Sequence, residues 1–229
     1  MKQLLLDLNA QAAPTLDSFV IGQNAELHAL LCRIARRAIA GLNERFVYIW
    51  GEAGAGKTHL LRALAGGAGA RYIGNDDGEA AFHAVDGIDL YLIDDCDRLA
   101  PDLQIRAFDL FNQVRERNAI LVTAGSKPPL ALTVRDDLRT RLGWGLIYQL
   151  HGLSDDEKIA ALEKIAQARG LVLPAGVLPY LMTHFRRDMP SLSALIDALD
   201  RYSLETKRPI TLPLLRDLLQ QQSGTDNRR

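Results

Sequence analysis

Eight consecutive residues in the first third of the chain have the types and spacing of a phosphate-binding loop. Positions 51–58 read Gly-Glu-Ala-Gly-Ala-Gly-Lys-Thr and match the pattern GxxxxGK(S/T) in full. Glycines at this spacing let backbone N–H groups close on phosphate oxygens, and the N-terminus of the following helix favours their negative charge. Lys57 would reach the β- and γ-phosphates, and the hydroxyl of Thr58 would bind Mg²⁺. The residues predicted to hold the nucleotide phosphates are Gly51, Gly54, Ala55, Gly56, Lys57 and Thr58.

Two adjacent carboxylates, Asp94 and Asp95, follow the apolar run Leu90–Ile93. At the carboxyl end of a buried strand, Asp94 would hold Mg²⁺ from the side opposite Thr58, and Asp95 could orient an attacking water. An acidic turn after a strand is common and would be weak evidence alone. Together with the glycine-rich loop it predicts a site for ADP or ATP with Mg²⁺.

These residues need a strand before each motif and a helix after the loop, and the apolar pattern supplies both. Phe46–Trp50 is a continuous apolar run typical of a strand buried on both faces, and leucines at helical spacing follow the loop. This context favours phosphate binding over a glycine turn without a ligand. Alternating strands and helices predict an α/β domain with a parallel sheet. Other predicted strands span 71–73, 90–93, 120–123 and 146–148, and helices are predicted from Leu27 to a stop at Gly41 and over 101–117.

The pattern changes near residue 150. Ser154 and Glu157 form a capping box that opens a helix, and Gly170 closes it. Further helices are predicted at 175–185, 191–205 and 212–222, with no strand among them. The predicted organisation is a tail and linker over 1–15, an α/β domain over 16–150, a small helical domain over 151–222 and a frayed polar end over 223–229.

Composition narrows the class of protein. Lys and Arg number 27 against 28 Asp and Glu, so the net charge is -1, whereas proteins that bind DNA non-specifically usually carry a basic excess. The two cysteines form no CxxC pair, and the five histidines lack ligand spacing, so neither a disulfide framework nor a zinc site is predicted. No apolar run is long enough for a membrane span or a signal peptide. We expect a cytoplasmic protein.

The motifs and their surroundings resemble the AAA+ family and, within it, the bacterial replication initiator DnaA. The resemblance covers residues 16–222 and implies an AAA+ P-loop domain with a parallel sheet, followed by an all-helical lid. It also adds His59 to the expected nucleotide-binding residues. Direct strong DNA binding is not expected, because the chain ends where the initiator would continue into a helix-turn-helix domain. The resemblance rests on Phe19-Val20-Ile21-Gly22, Asn24, the loop running into Thr58-His59-Leu60-Leu61, and the pair Asp94-Asp95.

The N-terminus has a different resemblance. Positions 3–8 read Gln-Leu-Leu-Leu-Asp-Leu and are similar to peptides that dock proteins on the bacterial sliding clamp, the β subunit of DNA polymerase III. A glutamine at a pocket rim and leucines in an apolar cleft suit an extended peptide held by a few anchors. A strand or helix stub packed on the domain is the alternative. A docking tail on a DnaA-like core resembles the Hda family, the regulatory inactivators of DnaA. The expected clamp contacts are Gln3, Leu4, Leu6 and Leu8.

The same resemblance assigns an arginine finger and reveals one departure. Leu138-Arg139-Thr140-Arg141-Leu142 is similar to the finger segment of the DnaA family, which marks Arg141 as the finger. From the residues alone, a solvated arginine face is the alternative. The family also places an arginine, called sensor 2, early in the third lid helix, where this chain has Pro190. Arg186 or Arg187 could substitute.

The expected function is negative control of DNA replication. Resemblance implies that the protein, with nucleotide bound and docked on a DNA-loaded clamp, contacts DnaA and stimulates hydrolysis of its ATP through Arg141. Its own ATPase activity would be weak or absent, and a homo-oligomer is compatible with the family. The alternatives are an autonomous AAA+ ATPase, such as a helicase loader of the DnaC type, a P-loop kinase, and a scaffold with a vestigial nucleotide site.

Overall fold

The computed structural model describes residues 13–216, which divide into two compact units. The first unit is Ala13–Gly152, and the second begins at Leu153. The first contains a five-stranded sheet covered by helices and the second contains helices, so the predicted fold class is confirmed. In the described part of the chain, no helix has both the length and the apolar character that crossing a membrane requires.

All strand pairs in the sheet are parallel, and the strand order is β2-β3-β4-β1-β5. β1 and β3 therefore lie on either side of β4. The strands are β1 (Phe46–Trp50), β2 (Ala70–Ile73), β3 (Leu90–Ile93), β4 (Ile120–Gly125) and β5 (Leu146–Gln149). The helices of this unit are α1 (Ala25–Ala35), α2 (Lys57–Ala65), α3 (Pro101–Glu116) and α4 (Asp136–Leu142), and single 3₁₀ turns span Leu42–Arg45, Glu79–Phe82, Cys96–Arg98 and Pro129–Ala131.

The continuous apolar runs form the central strands because both faces of the sheet are covered. Every residue of β3 and of β4 is buried. Successive side chains of β3 enter different clusters: Leu90 and Leu92 pack on one face, and Tyr91 and Ile93 on the other. β5 lies at the edge, where exposed and half-buried residues alternate. Helices on both faces bury the sheet, as expected for parallel strands.

The prediction for the end of α1 was wrong. The helix ends at Ala35 rather than running to Gly41, because Arg37 adopts a left-handed conformation with φ 57°. The N–H groups of Arg37 and Ala38 donate to the carbonyls of Ile34 and Arg33, which is a Schellman motif. The Arg37 side chain stabilises this turn by donating to the Asp89 carboxylate at 2.7 Å. Hydrophobic periodicity does not reveal a cap that depends on a distant carboxylate.

The second unit contains helices α5 (Asp155–Ala168), α6 (Val177–His184) and α7 (Met189–Thr206). The predicted capping box is present: the N–H of Glu157 donates to Ser154 Oγ, and its carboxylate accepts from the Ser154 N–H. Asp188 caps α7 by accepting from the N–H of Ser191 at 2.9 Å. The core of this unit is aliphatic and includes Leu162, Leu181, Leu192, Ile196 and Leu199.

Candidate functional site

The strand order brings the two predicted motifs to one edge of the sheet. The glycine-rich loop follows β1, and the acidic pair follows β3. β4 lies between them and pairs with both. Because the carboxyl ends of parallel strands share an edge, the loop and the carboxylates approach each other across the end of β4. Burial raises the pKa of Asp95, and the charge of Lys57 is close enough to oppose this shift.

The loop has the backbone conformation that its glycines predict. Gly54 and Gly56 have φ of 80° and 109°, in the region that favours glycine. Lys57 starts α2, so the first N–H groups of this helix have no acceptor within it. A Cβ on Gly56 would lie 2.9 Å from the Phe19 ring, so the aromatic side chain closes one side of the loop. The loop is thus a concave set of N–H donors with one apolar wall.

Lys57 is 8% exposed and is held by the loop itself. Its ammonium donates to the carbonyl oxygens of Gly51 at 2.7 Å and Glu52 at 3.0 Å. The Thr58 side chain, by contrast, is exposed at the first turn of α2. The loop therefore places a buried cation beside the free N–H groups and leaves a hydroxyl open to solvent.

Asp94 is 4% exposed and has a hydrogen-bond donor at each carboxylate oxygen. The Asp95 N–H donates to Oδ1 at 3.0 Å, and the Tyr72 hydroxyl donates to Oδ2 at 2.8 Å. Burial and the bond to Asp94 raise the pKa of Tyr72 to about 12, which keeps the phenol protonated as a donor. The Arg62 guanidinium lies 5.5 Å from the centre of the Tyr72 ring. β2 thus fixes the orientation of a carboxylate on β3's carboxyl end.

Asp95 has a left-handed backbone with φ 43°, which is uncommon for a residue with a side chain. Burial raises the pKa of its carboxyl, and the Asp94 charge raises it further, while Lys57 opposes the shift. Its closest cation is Arg98, with an N–O distance of 3.8 Å. Such backbone conformations are concentrated at functional sites.

The end of β4 carries polar groups that contact the acidic segment. Ser126 Oγ donates to Asp97 Oδ2 at 2.5 Å, and its N–H donates to Oδ1 at 3.3 Å. The buried Tyr48 hydroxyl donates to the Lys127 carbonyl at 2.6 Å. Burial raises the pKa of Tyr48 strongly. The Ser126 bonds hold the segment after β4 against the one after β3, and the Tyr48 bond ties the same segment to β1.

His59 lies next to Thr58, but its side chain is directed at residues 15–19, which precede α1. Its Nε2 is 3.1 Å from the Thr15 carbonyl oxygen and 3.3 Å from Ser18 Oγ. The ring centroid lies 5.8 Å from that of Phe19. The imidazole therefore connects α2 to residues 15–19, and any contact of His59 with phosphate would come from its backbone.

Arg141, in the last turn of α4, lies against an aromatic surface. Its guanidinium carbon lies 3.7 Å from the centre of the Trp144 ring and 5.0 Å from that of Phe108. Nε is buried and has no hydrogen-bond partner among residues 13–216. Burial lowers the pKa of Arg141, and the nearby charge of Arg115 lowers it further.

Local sequence explains the position of Trp144. Gly145 has φ 71°, and a Cβ there would collide with the carbonyl oxygen of Phe46, so the chain can turn into β5 only with glycine. The indole then packs edge-on against the Phe46 ring, with the planes at 87°. The other arginines of the segment are neutralised: Arg135 contacts Asp137, and Arg139 contacts Asp136, both at 2.7 Å.

A cleft of about 510 Å³ lies between the start of α1 and β5. Asn24, which is 4% exposed, forms its inner end and bonds through its amide to the Ile21 and His151 carbonyls and to the His151 N–H. No residue of the glycine-rich loop or the acidic pair lines this cleft. The candidate phosphate site at residues 51–58 is therefore separate from this cleft.

Pro190, at the position expected for sensor 2, lies in the first turn of α7. Both candidate substitutes already contact carboxylates of the same unit. Arg187 lies 3.1 Å from Asp155, and Arg186, which is largely exposed, lies 3.4 Å from Asp188. The predicted clamp contacts, Gln3, Leu4, Leu6 and Leu8, lie outside the described residues.

Several residues of the site were not predicted from their types. Tyr72 acts through a contact with Asp94, which is distant in the chain, and Trp144 through a local contact with Arg141. The available signal for Trp144 was the WG pair at 144–145, an aromatic next to the glycine that precedes β5. Phe19 was identified from the sequence only as part of the resemblance to DnaA. In the structure its ring packs against Gly56 and closes one side of the loop.

Comparison with known proteins places this geometry in context. Residues 155–219 match the family model described as Hda, lid domain, and residues 10–76 match the bacterial DnaA ATPase domain. An uncharacterised protein of Haemophilus influenzae is 34% identical over 95% of this chain and 98% of its own length.

Solved structures share the fold at lower identity. Domain III of the Thermotoga maritima replication initiation protein DnaA is 20% identical, with a TM-score of 0.69 over 90% of this chain and 95% of that one. AMPPCP-bound DnaA from Aquifex aeolicus is 23% identical, with a TM-score of 0.67 over 87% of this chain and 68% of that one.

Proposed function

The chain belongs to the Hda- and DnaA-like AAA+ family, and on that basis we propose that it binds an adenine nucleotide with Mg²⁺ and inactivates DnaA. Docked by its N-terminal tail on the DNA-loaded sliding clamp, it contacts DnaA that holds ATP. Arg141 then completes the active site of the initiator, ATP is hydrolysed, and replication initiation is repressed. The observation that carries the proposal is the Arg141 guanidinium, which has an aromatic platform and, among residues 13–216, no anionic partner.

The loop fits a nucleotide diphosphate or triphosphate. Free N–H groups at the start of α2 and the positive φ of Gly54 and Gly56 form the kind of concave donor set that binds phosphate. Lys57 supplies a buried cation within the same loop. The relative from Aquifex aeolicus that shares this fold was solved with AMPPCP. These features support ADP or ATP as the ligand.

Mg²⁺ would bind together with the phosphates. No group of three or more His, Cys, Asp or Glu side chains within residues 13–216 is arranged to hold a metal ion. Mg²⁺ commonly binds through one or two carboxylates and substrate phosphates rather than an all-protein cage. Asp94, oriented by Tyr72, and the exposed hydroxyl of Thr58 are the proposed protein contributions. The ion would neutralise charge between the phosphates.

The protein's own ATP turnover is proposed to be weak. Asp95 follows Asp94 and could orient a water, but a second cation for the phosphates is missing where the family places sensor 2. Pro190 has no charge, and Arg186 and Arg187 each contact a carboxylate already. The protein would thus act as a stimulator in trans.

Arg141 can perform that role because arginine is permanently charged and its planar fork matches phosphate oxygens. In the free protein the guanidinium stacks on Trp144. Arg135 and Arg139 each have a carboxylate partner, which reduces the net charge that they offer to a ligand. These contacts support Arg141 over its neighbours as the finger.

An autonomous ATPase, such as a helicase loader of the DnaC type, is the second candidate. It is favoured by the complete set of Lys57, Thr58, Asp94 and Asp95 at one edge of the sheet. Brisk ATP hydrolysis by the isolated protein would support this candidate over the trans-acting one.

The decisive experiment measures hydrolysis of ATP bound to DnaA, with this protein and DNA-loaded clamp added together or singly. The proposal expects acceleration only when both are present. Equal hydrolysis in all mixtures would refute it.

A further inference from the structure

Two arginines share one indole ring. The guanidinium carbon of Arg141 lies 3.7 Å from the Trp144 centroid, and that of Arg115 lies 5.4 Å from it. Arg115 is exposed in the last turn of α3, whereas Arg141 comes from α4. Two separate elements therefore direct cations to the same tryptophan.

Neighbouring arginines are neutralised, and these two are not. Arg117, two residues from Arg115, lies 2.8 Å from Asp86. Arg139, two residues from Arg141, lies 2.7 Å from Asp136. Within residues 13–216, neither Arg115 nor Arg141 has a carboxylate within 4 Å. Carboxylates thus neutralise Arg117 and Arg139, whereas Arg115 and Arg141 remain two cations without such partners among the described residues.

The two unpaired charges repel each other. The charge of Arg115 lowers the pKa of Arg141, in addition to the effect of burial. Stacking on the indole offsets part of this cost, since the face of an aromatic ring attracts a cation. An anion that contacts both guanidinium groups would offset the repulsion between them. Charge-assisted hydrogen bonds from a guanidinium to an anion are strong, so the arrangement suits an anionic ligand.

We propose that Arg115 and Arg141 form a two-arginine site on Trp144 for the terminal phosphate of a nucleotide held by a partner protein. This inference rests on the proposed function and adds Arg115 as a second residue that touches the partner's phosphate. Arg115 and Arg141 would thus both contact the nucleotide of the partner and not the nucleotide bound at residues 51–58 of this chain. Trp144 is a positioning residue, because its ring contacts both guanidinium groups.

A nucleotide on a protein suits the site better than nucleic acid. DNA-binding surfaces use many phosphate contacts along a track, and the overall charge of this chain is -1. Here Arg117 and Arg139, which could extend a track, are paired with carboxylates. The pair matches one compact phosphate group.

The first test uses tripolyphosphate and Trp144 fluorescence. Trp50→Phe leaves Trp144 as the only tryptophan, since the chain has two, and saturating ADP occupies the loop at 51–58. Tripolyphosphate should change the emission saturably, and Arg115→Ala should weaken binding about tenfold or more, as expected for a lost charge-assisted hydrogen bond. Arg117→Ala is the matched control and should bind as the parent does. If Trp50→Phe folds poorly, calorimetry can compare the tripolyphosphate affinities of Arg115→Ala and Arg117→Ala in the chain that keeps both tryptophans.

Equal affinities for Arg115→Ala and Arg117→Ala would overturn the site. Displacement of tripolyphosphate by a duplex oligonucleotide, with the same dependence on Arg115, would assign the pair to nucleic acid and overturn the proposed ligand.

The second test measures hydrolysis of ATP on DnaA with clamp on DNA. Arg115→Ala should lower the maximal stimulated rate about tenfold, and Arg117→Ala should not. If Arg141→Ala abolishes stimulation while Arg115→Ala matches Arg117→Ala in both assays, the proposed function stands and the second arginine is wrong. If the wild-type protein stimulates nothing yet binds tripolyphosphate through Arg115, the proposed function fails, and the assignment to a partner's nucleotide fails with it.

Discussion

The Tyr72 hydroxyl donates a 2.8 Å hydrogen bond to Asp94 Oδ2, linking β2 to the carboxylate at the end of β3. Tyr72→Phe should reduce the affinity for Mg²⁺ in the presence of ADP, because Asp94 loses the donor that orients it. The free energy of unfolding should fall by roughly 1–3 kcal/mol, as for a buried polar group left unsatisfied. Mg²⁺ titrations and urea unfolding measure the two effects.

Tyr91→Phe is the control for this variant, because it also removes a phenol that bonds within the core, to Val85. It should lower stability with no change in Mg²⁺ affinity. The positioning role of Tyr72 is excluded if both variants show the same dependence on Mg²⁺.

Lys57→Ala should abolish the thermal stabilisation by ADP or ATP. A ligand at 100 times its Kd stabilises the native state by about 2.7 kcal/mol, which corresponds to roughly 5–10 °C for a chain of this size. Thermal unfolding with and without ADP provides the measurement. Lys164→Ala, on the exposed surface of α5, should keep the full shift. A full shift in Lys57→Ala would contradict the assignment of the loop.

Replacing Gln3 and Leu6 together by alanine should remove binding to the sliding clamp and leave the ADP-induced thermal shift intact. The reason is that the tail residues lie outside the α/β domain in sequence. Surface plasmon resonance on immobilised clamp detects the loss. Undiminished clamp affinity in the double variant would show that the docking surface lies elsewhere.

Arg141→Ala should fold and bind ADP and clamp, yet fail to stimulate hydrolysis by DnaA. Fingers supplied in trans contribute roughly 10³- to 10⁵-fold. Arg141→Lys should recover little, since an ammonium lacks the planar fork. Single-turnover hydrolysis of labelled ATP on DnaA gives the rates.

Arg139→Ala is the control for general loss of positive charge, and its effect should be mild because Asp136 already neutralises Arg139. Normal stimulation by Arg141→Ala together with failure of Arg139→Ala would move the finger to the other face of α4.

Asp95→Asn should stabilise the protein at neutral pH. The pKa of Asp95 is raised in the folded state, so between the unfolded and folded pKa values the native state binds more protons than the unfolded state. Stability from this group therefore falls as pH rises through that window, and the charge is a net cost above it. Asparagine removes the charge and tolerates left-handed backbone.

Urea unfolding at neutral pH and near pH 3 tests this prediction. The gain should be present at neutral pH and shrink at the acidic pH, where Asp95 is protonated in both states. A gain of equal size at both values would attribute the effect to the backbone rather than to the charge.

The fold and the phosphate loop could be predicted from the sequence because their signals are local. Phe46–Trp50 is buried on both faces and had to be a strand, and the glycines of the loop occur where positive φ is needed. The position of Asp94 at the carboxyl end of a buried strand could be predicted for the same reason, because Asp94 directly follows an apolar run.

The rest depends on contacts between particular side chains, which a hydrophobic pattern does not encode. The early end of α1 needs Asp89 to bond Arg37, and the orientation of Asp94 needs Tyr72. The seven-residue helix α4 is too short for a periodic pattern to mark it. Arg141 was assigned as the finger by resemblance. The structure distinguishes it from Arg139, because Arg141 contacts the Trp144 ring whereas Arg139 pairs with the Asp136 carboxylate.

The bonds from Lys57 to the Gly51 and Glu52 carbonyls imply that the loop contains an internal competitor for its ligand. An ammonium has three N–H donors and the two carbonyls accept two of them, so a phosphate would either use the third donor or displace a carbonyl oxygen. Without a phosphate, the same carbonyls keep the buried charge of Lys57 hydrogen-bonded. Under the proposed function, binding and release of nucleotide would therefore change the acceptors around the ammonium without leaving it unpaired.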